Sequence, residues 1–594
     1  MARNKFNVDE ELNEEFNLSQ IKRAIKYVKP YKKGIAVTIL IMLISSLASL
    51  LGPYLISIAM DKTIVSGNIQ QLMIIAAVYV LTLVITAVCT NLRVKIMSKI
   101  GQSIIYNLRT DLFEHLQKLP FTYYDNRPHG KILVRVVNYV NSVSDLLSNG
   151  IINLITDLFS LIVIIGFMLY INVRLTLVCM AGLPLLFISI FIIKKAQRRG
   201  WQNVSRKQSN LNAYLHESIM GMKVTQSFCR EEENLKIFTD LNKEYRRAWM
   251  HAQRISFLFS PIVENISTLG SSFVYMMGVV WVSGEVVSVG VLTAFLMYIG
   301  RFWAPISNIS GMYNQILSTA AYLERIFETL DEEPVVKDLP DAETMPQIQG
   351  KVEFKNVNFG YEEGQLILKD VSFTVNPGDT IALVGPTGAG KTTIVNLISR
   401  FYNVNSGEIE IDGHDISKVT LSSLRKQMGV MLQDTFIFSG TIMDNIRYGR
   451  LDATDEEVIR AAKAVKAHEF ICELKDGYQT QVNERGSRLS TGQRQLISFA
   501  RALLADPRIL ILDEATSSID TKTEAALQEG LAALLKGRTS FVIAHRLSTI
   551  KNSTCIMYID DGRIIESGTH DELMAKKGAY WKLYMSQYKM QEAV

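Results

Sequence analysis

Gly385-Pro386-Thr387-Gly388-Ala389-Gly390-Lys391-Thr392-Thr393 is the stretch that decides the fold of the second half of this chain. It matches the phosphate-loop pattern, in which a glycine, four further residues and Gly-Lys-Ser/Thr join a strand to a helix. Residues 380–384 before it form a short apolar run typical of a buried strand, and residues 393–398 after it have helical character. The stretch therefore predicts a nucleotide site, because glycines at a helix N-terminus let successive N–H groups face a phosphate.

Two side chains of this loop carry specific chemistry. Lys391 can reach the β- and γ-phosphates of a nucleotide, and Thr392 can ligate Mg²⁺. The alternative is a glycine-rich turn that binds nothing, which the lysine, the threonine and the flanking strand and helix together disfavour. The loop alone does not identify the nucleotide or the process that its hydrolysis drives.

The composition indicates a chain with membrane and soluble parts. It has 594 residues, of which 48% are hydrophobic and 20% charged, and its mean hydropathy is +0.14. This length predicts more than one domain. A net charge of +5 gives no case for nucleic-acid binding. The five cysteines are scattered and none forms a CxxC pair, so neither disulfides nor zinc sites are expected.

Six apolar segments of about the 20-residue length needed to span a bilayer follow the polar N-terminus. They lie near 34–60, 72–89, 151–170, 175–193, 255–282 and 286–306. The second-to-third and fourth-to-fifth connections are long and basic, whereas the other connections are short and nearly free of lysine and arginine. The positive-inside bias therefore predicts that both long loops and both termini are cytoplasmic. Because the long loops have a helical pattern, the spans are expected to continue well beyond the bilayer.

Three polar stretches flank these spans. Residues 21–29 alternate apolar and basic side chains at helical spacing, which indicates an amphipathic helix on the cytosolic membrane surface or, alternatively, an ordinary solvated helix. Residues 120–125 interrupt the first long loop and residues 218–224 the second. Each interruption is either a short transverse helix that contacts the soluble domain or a plain bend between helices.

Two acidic residues fall within the spans. An ionisable side chain at membrane depth is costly, so Glu264 in the fifth span could meet a cationic substrate. The alternatives are a packing role between helices or a position near the cytosolic interface. Asp157 in the third span gives a weaker form of the same argument.

A second acidic pair lies in the soluble half. Residues 509–512 are strongly apolar and end in Asp513 and Glu514. A buried parallel strand would carry both carboxylates to its carboxyl end, where α/β sheets bind ligands. Asp513 would then serve Mg²⁺, and Glu514 would polarise the water that attacks the γ-phosphate.

Further motifs follow the phosphate loop in a fixed order. They are Gln433, Leu489-Ser490-Thr491-Gly492-Gln493, Asp513-Glu514, Asp520 and His545. This order resembles the ATPase domain of ABC transporters, and the Leu-Ser-x-Gly-Gln signature is its diagnostic part. With six spans upstream, the chain resembles a half-transporter of the ABC exporter type. The resemblance implies an all-α six-helix transmembrane domain followed by an α/β P-loop ABC ATPase domain. The expected bounds are 1–33 for the cytosolic N-terminus and amphipathic helix, 34–320 for the membrane domain, 321–350 for the linker and 351–590 for the ATP-binding domain.

The resemblance also implies roles for single residues. Glu514 would be the catalytic base, His545 would contact the γ-phosphate, and Gln433 would contact Mg²⁺ and sense the membrane domain. Residues 484–486 would couple the ATPase to the transverse helices. The implied Mg²⁺ ligands are Thr392, Gln433 and Asp513. The implied ATP-binding residues are Tyr361, which would stack on adenine, the loop residues Gly385, Pro386, Thr387, Gly388, Ala389, Gly390, Lys391, Thr392 and Thr393, the signature residues Ser490, Gly492 and Gln493, which would act on the partner's ATP, and Asp520 at the dimer interface.

The implied function is ATP-driven export of a hydrophobic or amphipathic substrate, a drug, lipid or peptide, from a multi-pass position in the cell membrane. The partner would be a second half-transporter chain. Thr491 departs from the glycine of the family's signature, and its side chain could hinder close approach to phosphate. This departure predicts a heterodimer with one weak ATP site; the alternative is a homodimer, lipid-flippase-like, that tolerates Thr491.

Other classes fit less well. Six spans exclude a soluble ABC ATPase acting on ribosomes or DNA. Glu514 and His545 argue against a regulatory membrane subunit, which would not need turnover. Importers generally keep membrane and ATPase parts on separate chains, and a peptide-processing exporter would need a cysteine protease ahead of the first span, where no cysteine precedes Cys89.

Overall fold

The computed structural model describes residues 18–125, 127, 129–283, 287–362, 364–431, 435–483, 486, 488–513, 521–543 and 550–587. The backbone divides into two compact units. The first comprises Met1–Gln117 and Arg127–Glu332, and the second comprises Lys118–Asn126 and Glu333–Val594.

The first unit is helical across its described residues. Six of its helical stretches are long and apolar enough to cross a membrane, namely Lys22–Ile64, Ile69–Leu116, Gly130–Ile171, Val173–Met220, Glu231–Val282 and Val289–Ile306. The prediction of six spans is therefore confirmed. The α-helices of this unit are α1 (Leu18–Val28), α2 (Lys32–Ile58), α3 (Ile69–Leu116), α5 (His129–Val134), α6 (Val140–Asp145), α7 (Ile151–Ile171), α8 (Val173–Met180), α9 (Leu183–Met220), α10 (Met222–Ser227), α11 (Glu231–Phe257), α12 (Phe259–Ser283) and α13 (Val289–Asp331).

The helices of this unit extend beyond the apolar segments of the sequence. α3 has 48 residues, and at 1.5 Å per residue it is about 72 Å long, whereas the hydrocarbon core of a bilayer is about 30 Å thick. The helix begins where Asn68 accepts a hydrogen bond from the backbone N–H of Gln71. The expectation that the spans continue past the bilayer is confirmed by this length.

α1 is docked on two other helices of the first unit. Arg23 donates hydrogen bonds of 2.7 and 2.6 Å to the two carboxylate oxygens of Asp331 in α13. Its guanidinium also lies 4.2 Å from the ring centroid of Phe327. Tyr27 donates to Asp111 of α3 at 2.9 Å. α1 therefore lies against the C-terminal ends of α3 and α13, while Lys22 and Lys26 of α1 are exposed.

The second unit contains the strands and the remaining helices. One antiparallel sheet has the order β2-β1-β4-β5, a larger sheet has the order β12-β11-β3-β10-β9-β6, and β7 pairs with β8. The strands are β1 (Val352–Phe359), β2 (Leu368–Val375), β3 (Thr380–Val384), β4 (Ser406–Ile411), β5 (His414–Asp415), β6 (Met428–Met431), β7 (Gly440–Thr441), β8 (Gln481–Val482), β9 (Ile509–Asp513), β10 (Thr539–Ile543), β11 (Cys555–Asp560) and β12 (Arg563–Gly568). The helices are α4 (Phe121–Asp125), α14 (Lys391–Ile398), α15 (Leu421–Arg425), α16 (Ile442–Arg447), α17 (Asp455–Ala464), α18 (His468–Glu473), α19 (Thr491–Ala505), α20 (Thr521–Leu535), α21 (His570–Lys576) and α22 (Ala579–Gln587).

The large sheet brings the functional loops together at the carboxyl ends of its parallel strands. β3 pairs in parallel with β10 and β11, and β10 and β6 pair in parallel with β9. The register sets Leu383 beside Ile543 and Ile543 beside Asp513. Since parallel strands end at the same side of a sheet, the loops after β3, β9 and β10 emerge together.

The first loop interruption forms a short helix within the second unit. The ring of Phe121 in α4 lies 4.7 Å, centroid to centroid, from that of Phe401 just after α14. The prediction of a transverse helix that contacts the soluble domain is thus confirmed for residues 120–125. The second interruption also forms a helix, α10, after a break at Gly221.

Candidate functional site

The predicted phosphate loop lies between β3 and α14, as the sequence indicates. β3 is almost entirely buried, and α14 begins at Lys391 directly after Gly390. Gly385, Gly388 and Gly390 have φ angles of 144°, 84° and 104°. Glycine adopts these values without the penalty that a Cβ brings, so the loop bends back on itself at three points.

The loop is tightly packed on one side and open on the other. A Cβ at Gly385 would lie 2.1 Å from the carbonyl oxygen of Ile559, so glycine is required there by close backbone packing. A Cβ at Gly388 would meet nothing within 4 Å, so that side of the loop is open. Since the helix N-terminus adds its own N–H groups and a positive dipole end, the loop suits an anion.

Lys391 supplies a positive charge at this loop. Its Nζ donates to the carbonyl oxygens of Gly385 at 2.8 Å and Pro386 at 2.7 Å. Burial lowers the pKa of Lys391 below its usual value, and the carboxylate of Asp513 opposes that shift. The ammonium group therefore lies within electrostatic reach of the acidic strand end, although the two residues are 122 positions apart (513 − 391).

Tyr361 lies beside α14 and keeps part of its ring exposed. Its hydroxyl is 3.3 Å from Thr393 Oγ1, and its ring packs edge-on against Tyr402, with centroids 5.1 Å apart. Phe359 packs against it at 5.0 Å in the same manner. Because 45% of the residue is exposed, a face of the ring is available to a planar base next to the phosphate loop.

The signature segment forms the N-terminus of α19. Ser490 caps this helix by accepting from the N–H of Gln493 at 3.2 Å, while Gln493 accepts from the N–H of Ser490 at 2.9 Å. Gly492 is buried in the first turn. The reciprocal cap fixes the turn and directs the N-terminal N–H groups outward, an arrangement suited to an anion.

Thr491 is the first residue of α19, and its side chain is exposed. Its hydroxyl accepts from Arg494 at 3.2 Å, and its φ is not among the positive values. The backbone thus makes no demand for glycine at this position. Any effect of the substitution acts through the space that the side chain occupies above the helix N-terminus.

Several predicted residues lie outside the described part of the chain. They are Gln433, Glu514, Asp520 and His545, and of the predicted coupling segment, Glu484 and Arg485. Of the four motifs that are described, the structure brings the phosphate loop, Asp513 and Tyr361 to one region of the second unit, and it presents the signature at a separate helix N-terminus.

The two acidic residues of the spans have different surroundings. Glu264 is on an exposed face of α12, and it forms no hydrogen bond or ion pair with a described residue. Asp157 of α7 is hydrogen-bonded to Asn308 and lies within electrostatic range of Arg93. Arg93 in turn donates to Asn153 at 3.3 Å. Asp157 therefore belongs to a polar network among the helices.

Tyr402 makes a hydrogen bond to Asp125 that the sequence did not predict. Its hydroxyl donates to Asp125 of α4 at 3.1 Å, and its ring touches Tyr361. A possible signal was its position eleven residues after Lys391 (402 − 391), at the end of the phosphate-loop helix. That signal could not identify Asp125 as the partner.

Comparison with known proteins identifies the family. The family described as "ABC transporter transmembrane region" matches residues 35–306, and the family described as "ABC transporter" matches residues 368–517. The chain is 47% identical over 589 residues to the "Uncharacterized ABC transporter ATP-binding protein YknV" of Bacillus subtilis, covering 98% of this chain and 97% of the relative. The chain belongs to the ABC transporter family. It is also 40% identical over 489 residues to the "Fatty acid ABC transporter ATP-binding/permease protein" of Mycobacterium tuberculosis, covering 81% of this chain and 76% of the relative.

A solved structure agrees with this assignment. A bacterial Atm1-family ABC exporter with ATP bound matches with a TM-score of 0.78 and 29% identity, covering 94% of this chain and 98% of that one. The ABC transporter described here is thus a half-transporter of the exporter type, with a membrane region and an ATP-hydrolysing domain fused in one chain. The predicted family, fold class and enzymatic activity are confirmed.

Proposed function

We propose that this ABC transporter exports a hydrophobic or amphipathic molecule, a drug, lipid or peptide, across the cytoplasmic membrane by alternating access. The observation that carries the proposal is the fusion of six membrane-spanning helices to a complete phosphate loop and signature turn in one chain. The name of the mycobacterial relative, a fatty acid transporter, supports an amphipathic substrate. The basic long loops support a cytoplasmic position for both termini and the ATPase domain.

The ATP site is proposed to use the residues gathered at the carboxyl ends of the parallel strands. Lys391 and the loop N–H groups would hold the phosphates, and the exposed face of Tyr361 would stack on the adenine. Thr392 and Asp513 would ligate Mg²⁺, together with Gln433. Bound ATP supplies the hydrolytic free energy; Glu514 would orient the attacking water, and His545 would donate to the γ-phosphate.

The partner is proposed to be a second, different half-transporter. Ser490, Gly492 and Gln493 form a helix N-terminus suited to phosphate, yet they lie on an element separate from the chain's own phosphate loop. A complete site would then combine the loop of one chain with the signature turn of the other, with Asp520 at the interface. Thr491 places a side chain over that turn, which supports one weak and one strong site. The competing form is a homodimer in which both sites contain Thr491.

A surface at the tip of the second long loop fits such a partner. Met220, Val224 and Phe228, around α10, have exposed fractions of 75%, 62% and 73%. Exposed apolar side chains grouped at a cytosolic tip are costly in water and typical of a surface that another subunit covers. This supports an assembly of at least two chains.

The direct test is to express the chain alone and purify it in lipid nanodiscs. The proposal expects little substrate-stimulated ATPase and no transport from the isolated chain, with both restored by co-expression of a second, different half-transporter chain. A stable homodimer with stimulated ATPase and transport would contradict the heterodimer and retain the exporter. Absence of ATP-driven transport from every assembly would contradict the exporter itself and favour a regulatory membrane subunit.

A further inference from the structure

A cavity of about 360 Å³ lies within the second unit, where it is lined by residues of the segment 335–339, of the end of α14 and of the stretch 400–417. This volume is about twelve times the ~30 Å³ that a water molecule occupies in the liquid, and it falls in the range of about 300–1,000 Å³ that is usual for small-molecule sites. None of the phosphate-loop residues 385–393 lines it. The cavity is therefore distinct from the proposed nucleotide site.

Much of the lining is apolar. It includes six aliphatic side chains, those of Val335, Leu339, Leu397, Val404, Ile409 and Ile416. Leu397, Ile409 and Ile416 are buried, whereas Val335 and Leu339 are 68% and 44% exposed. Because apolar surface is unfavourable in water, an apolar ligand that covers the two exposed side chains would be stabilised there.

Arg400 is a buried cation of the lining, with only 3% of the residue exposed. Its Nη1 donates to the carbonyl oxygen of Val419 at 2.6 Å. Its Nη2 donates to the carbonyl oxygens of Ser417 at 3.0 Å and Lys337 at 3.2 Å. Its Nε is buried and has no hydrogen-bond partner among the residues that the structure describes. A buried donor of a charged group is costly when it is unpaired, so an acceptor that reached Nε would remove that cost.

The carboxylates near Arg400 are engaged elsewhere. Asp338 and Asp415 lie within electrostatic range of the guanidinium, but each accepts from a backbone N–H at 2.8 Å. Glu408, which also lines the cavity, pairs with Lys355 at 3.2 Å. Within the described part of the chain, the guanidinium is held by carbonyl oxygens and by no ion pair. A carboxylate that entered the cavity would therefore meet an unpaired positive charge.

We propose that this cavity binds a small organic carboxylate with an apolar body, of about eight to twelve non-hydrogen atoms in all. The carboxylate would take the edge of the Arg400 guanidinium formed by Nε and Nη2 as a bidentate pair, and it would replace the carbonyl of Lys337, the longer of the two bonds from Nη2. The apolar body would lie against Leu339, Val404 and Ile409. The inference does not rest on the proposed export function, because the site lies in the ATPase domain.

Tyr402 connects this cavity with the proposed adenine-binding ring. Tyr402 lines the cavity, and its ring packs against that of Tyr361, with centroids 5.1 Å apart. Leu397 lines the cavity from α14, the helix that begins at Lys391. A ligand that shifts these side chains would change the affinity for ATP, and by linkage ATP would change the affinity for the ligand by the same factor. The ligand is therefore expected to be an effector of ATP binding, and this step alone rests on the proposed role of Tyr361.

The binding test needs no turnover. The assembled transporter in nanodiscs is titrated with 6,6,6-trifluorohexanoate in the absence of nucleotide, and fluorine NMR reports the bound and free probe. Hexanoate should compete with the probe. Hexanamide, which has the same chain but no charge, should compete about tenfold to a hundredfold less well because a charge-assisted pair is lost, and hexylamine should not compete. Absence of probe binding, or equal competition by hexanamide or hexylamine, would overturn the proposal.

Hydrogen exchange locates the bound probe within the chain. Hexanoate should slow amide exchange in peptides that contain residues 335–339 and 415–419, and it should leave peptides of the first unit unchanged. Protection confined to the first unit, or no protection in the presence of bound probe, would assign the binding to another place and overturn the proposal.

A cavity-filling variant and a matched control complete the binding test. Leu339→Trp places a larger side chain in the cavity from a position that is 44% exposed, so the fold should tolerate it while probe binding is abolished. Ile565→Trp makes a similar change at a residue that is 53% exposed on β12 and outside the lining, and it should bind the probe as the wild type does. Arg400→Gln should also lose binding, and if it does not fold, Leu339→Trp decides. Unchanged binding in Leu339→Trp, or equal loss in both tryptophan variants, would overturn the proposal.

The effector role is tested by reciprocity. The affinity for a fluorescent ATP analogue is measured with and without saturating hexanoate, and the affinity for trifluorohexanoate with and without a non-hydrolysable ATP analogue. The two factors should be equal and different from one, and both effects should disappear in Leu339→Trp. An ATP affinity that hexanoate does not change would overturn the effector role. Failure of the analogue to bind at all would contradict the proposed ATP site and not the cavity, because probe binding is measured without nucleotide.

Discussion

The phenolic hydroxyl of Tyr402 donates a hydrogen bond to Oδ2 of Asp125, at 3.1 Å and across 277 positions of sequence. Tyr402 follows the phosphate-loop helix and touches Tyr361, whereas Asp125 ends the short helix α4 of the first long loop. Burial raises the pKa of Tyr402 further above its ordinary value, and the charge of Asp125 adds to this shift. The phenol therefore stays protonated, and remains a donor, at every physiological pH.

Tyr402→Phe should weaken the coupling of ATP hydrolysis to the substrate. The variant keeps the ring contacts but loses the bond to a carboxylate, which is worth about 1.5–3 kcal/mol. We expect basal ATPase to be largely retained and substrate stimulation to fall, as measured by phosphate release with and without substrate. Asp125→Asn, whose amide oxygen can still accept, should have a smaller effect. Full stimulation in Tyr402→Phe would show that the bond is incidental.

Gly385→Ala should destabilise the ATPase domain. The new Cβ would lie 2.1 Å from the Ile559 carbonyl oxygen at a φ of 144°, so overpacking and backbone strain together should cost about 2 kcal/mol or more. The expected result is a lower thermal midpoint and weaker binding of a fluorescent ATP analogue. Gly413→Ala is the matched control: its φ is 79° but its Cβ would meet nothing within 4 Å, so only strain of about 1 kcal/mol applies. Equal midpoints for the two variants would contradict the packing argument.

Glu514→Gln should abolish turnover and retain ATP binding. The residue follows Asp513 at the carboxyl end of β9, and a general base contributes about 10²–10⁴-fold in rate. The assembled variant should accumulate in an ATP-bound form, detectable by retention of radiolabelled nucleotide on a spin column. Near-normal multiple-turnover hydrolysis would remove Glu514 from the proposed role.

Thr491→Gly should affect one ATP site more than the other. Loss of the side chain that lies over the helix N-terminus gives a phosphate on the partner chain closer access to the Ser490 turn. In a heterodimer, the change should raise hydrolysis at the weak site and leave the main turnover standing, which site-specific nucleotide trapping can measure. A matched change at the partner's signature should instead alter the main turnover. A doubled effect in a purified homodimer would show that Thr491 lies in both sites.

The sequence is informative where one local pattern determines the result. A phosphate loop needs its glycines, lysine and flanking strand within about twenty residues, so residues 380–398 predict both the turn and its function. The spans are equally local, because apolar length alone specifies them. The predicted residues Gln433, Glu514, Asp520 and His545 lie outside the described structure, and their roles remain predictions.

The sequence is less informative where distant residues meet. Nothing near Tyr402 identifies Asp125 as its acceptor, since the choice depends on how α4 packs within the second unit. Thr86 and Thr90 line a polar pocket among α2, α3 and α7, whose faint local signal is the spacing by four of hydroxyl residues in an apolar segment. That spacing also fits simple helix packing, and only the arrangement of three helices shows that these residues line a pocket.

The unbroken length of α3 sets a phase between the two ends of this helix. A helix turns by about 100° for each residue, so one residue inserted between Cys89 and Asp111 would rotate the rest of α3 by that angle and advance it by about 1.5 Å. Asp111 would then face away from Tyr27 of α1, which donates a hydrogen bond to it. Seven residues bring the rotation back to within about 20° of its start. Insertions and deletions in this helix are therefore expected to be absent or to come in near-whole turns, while the loop at residues 65–68 is free to vary in length.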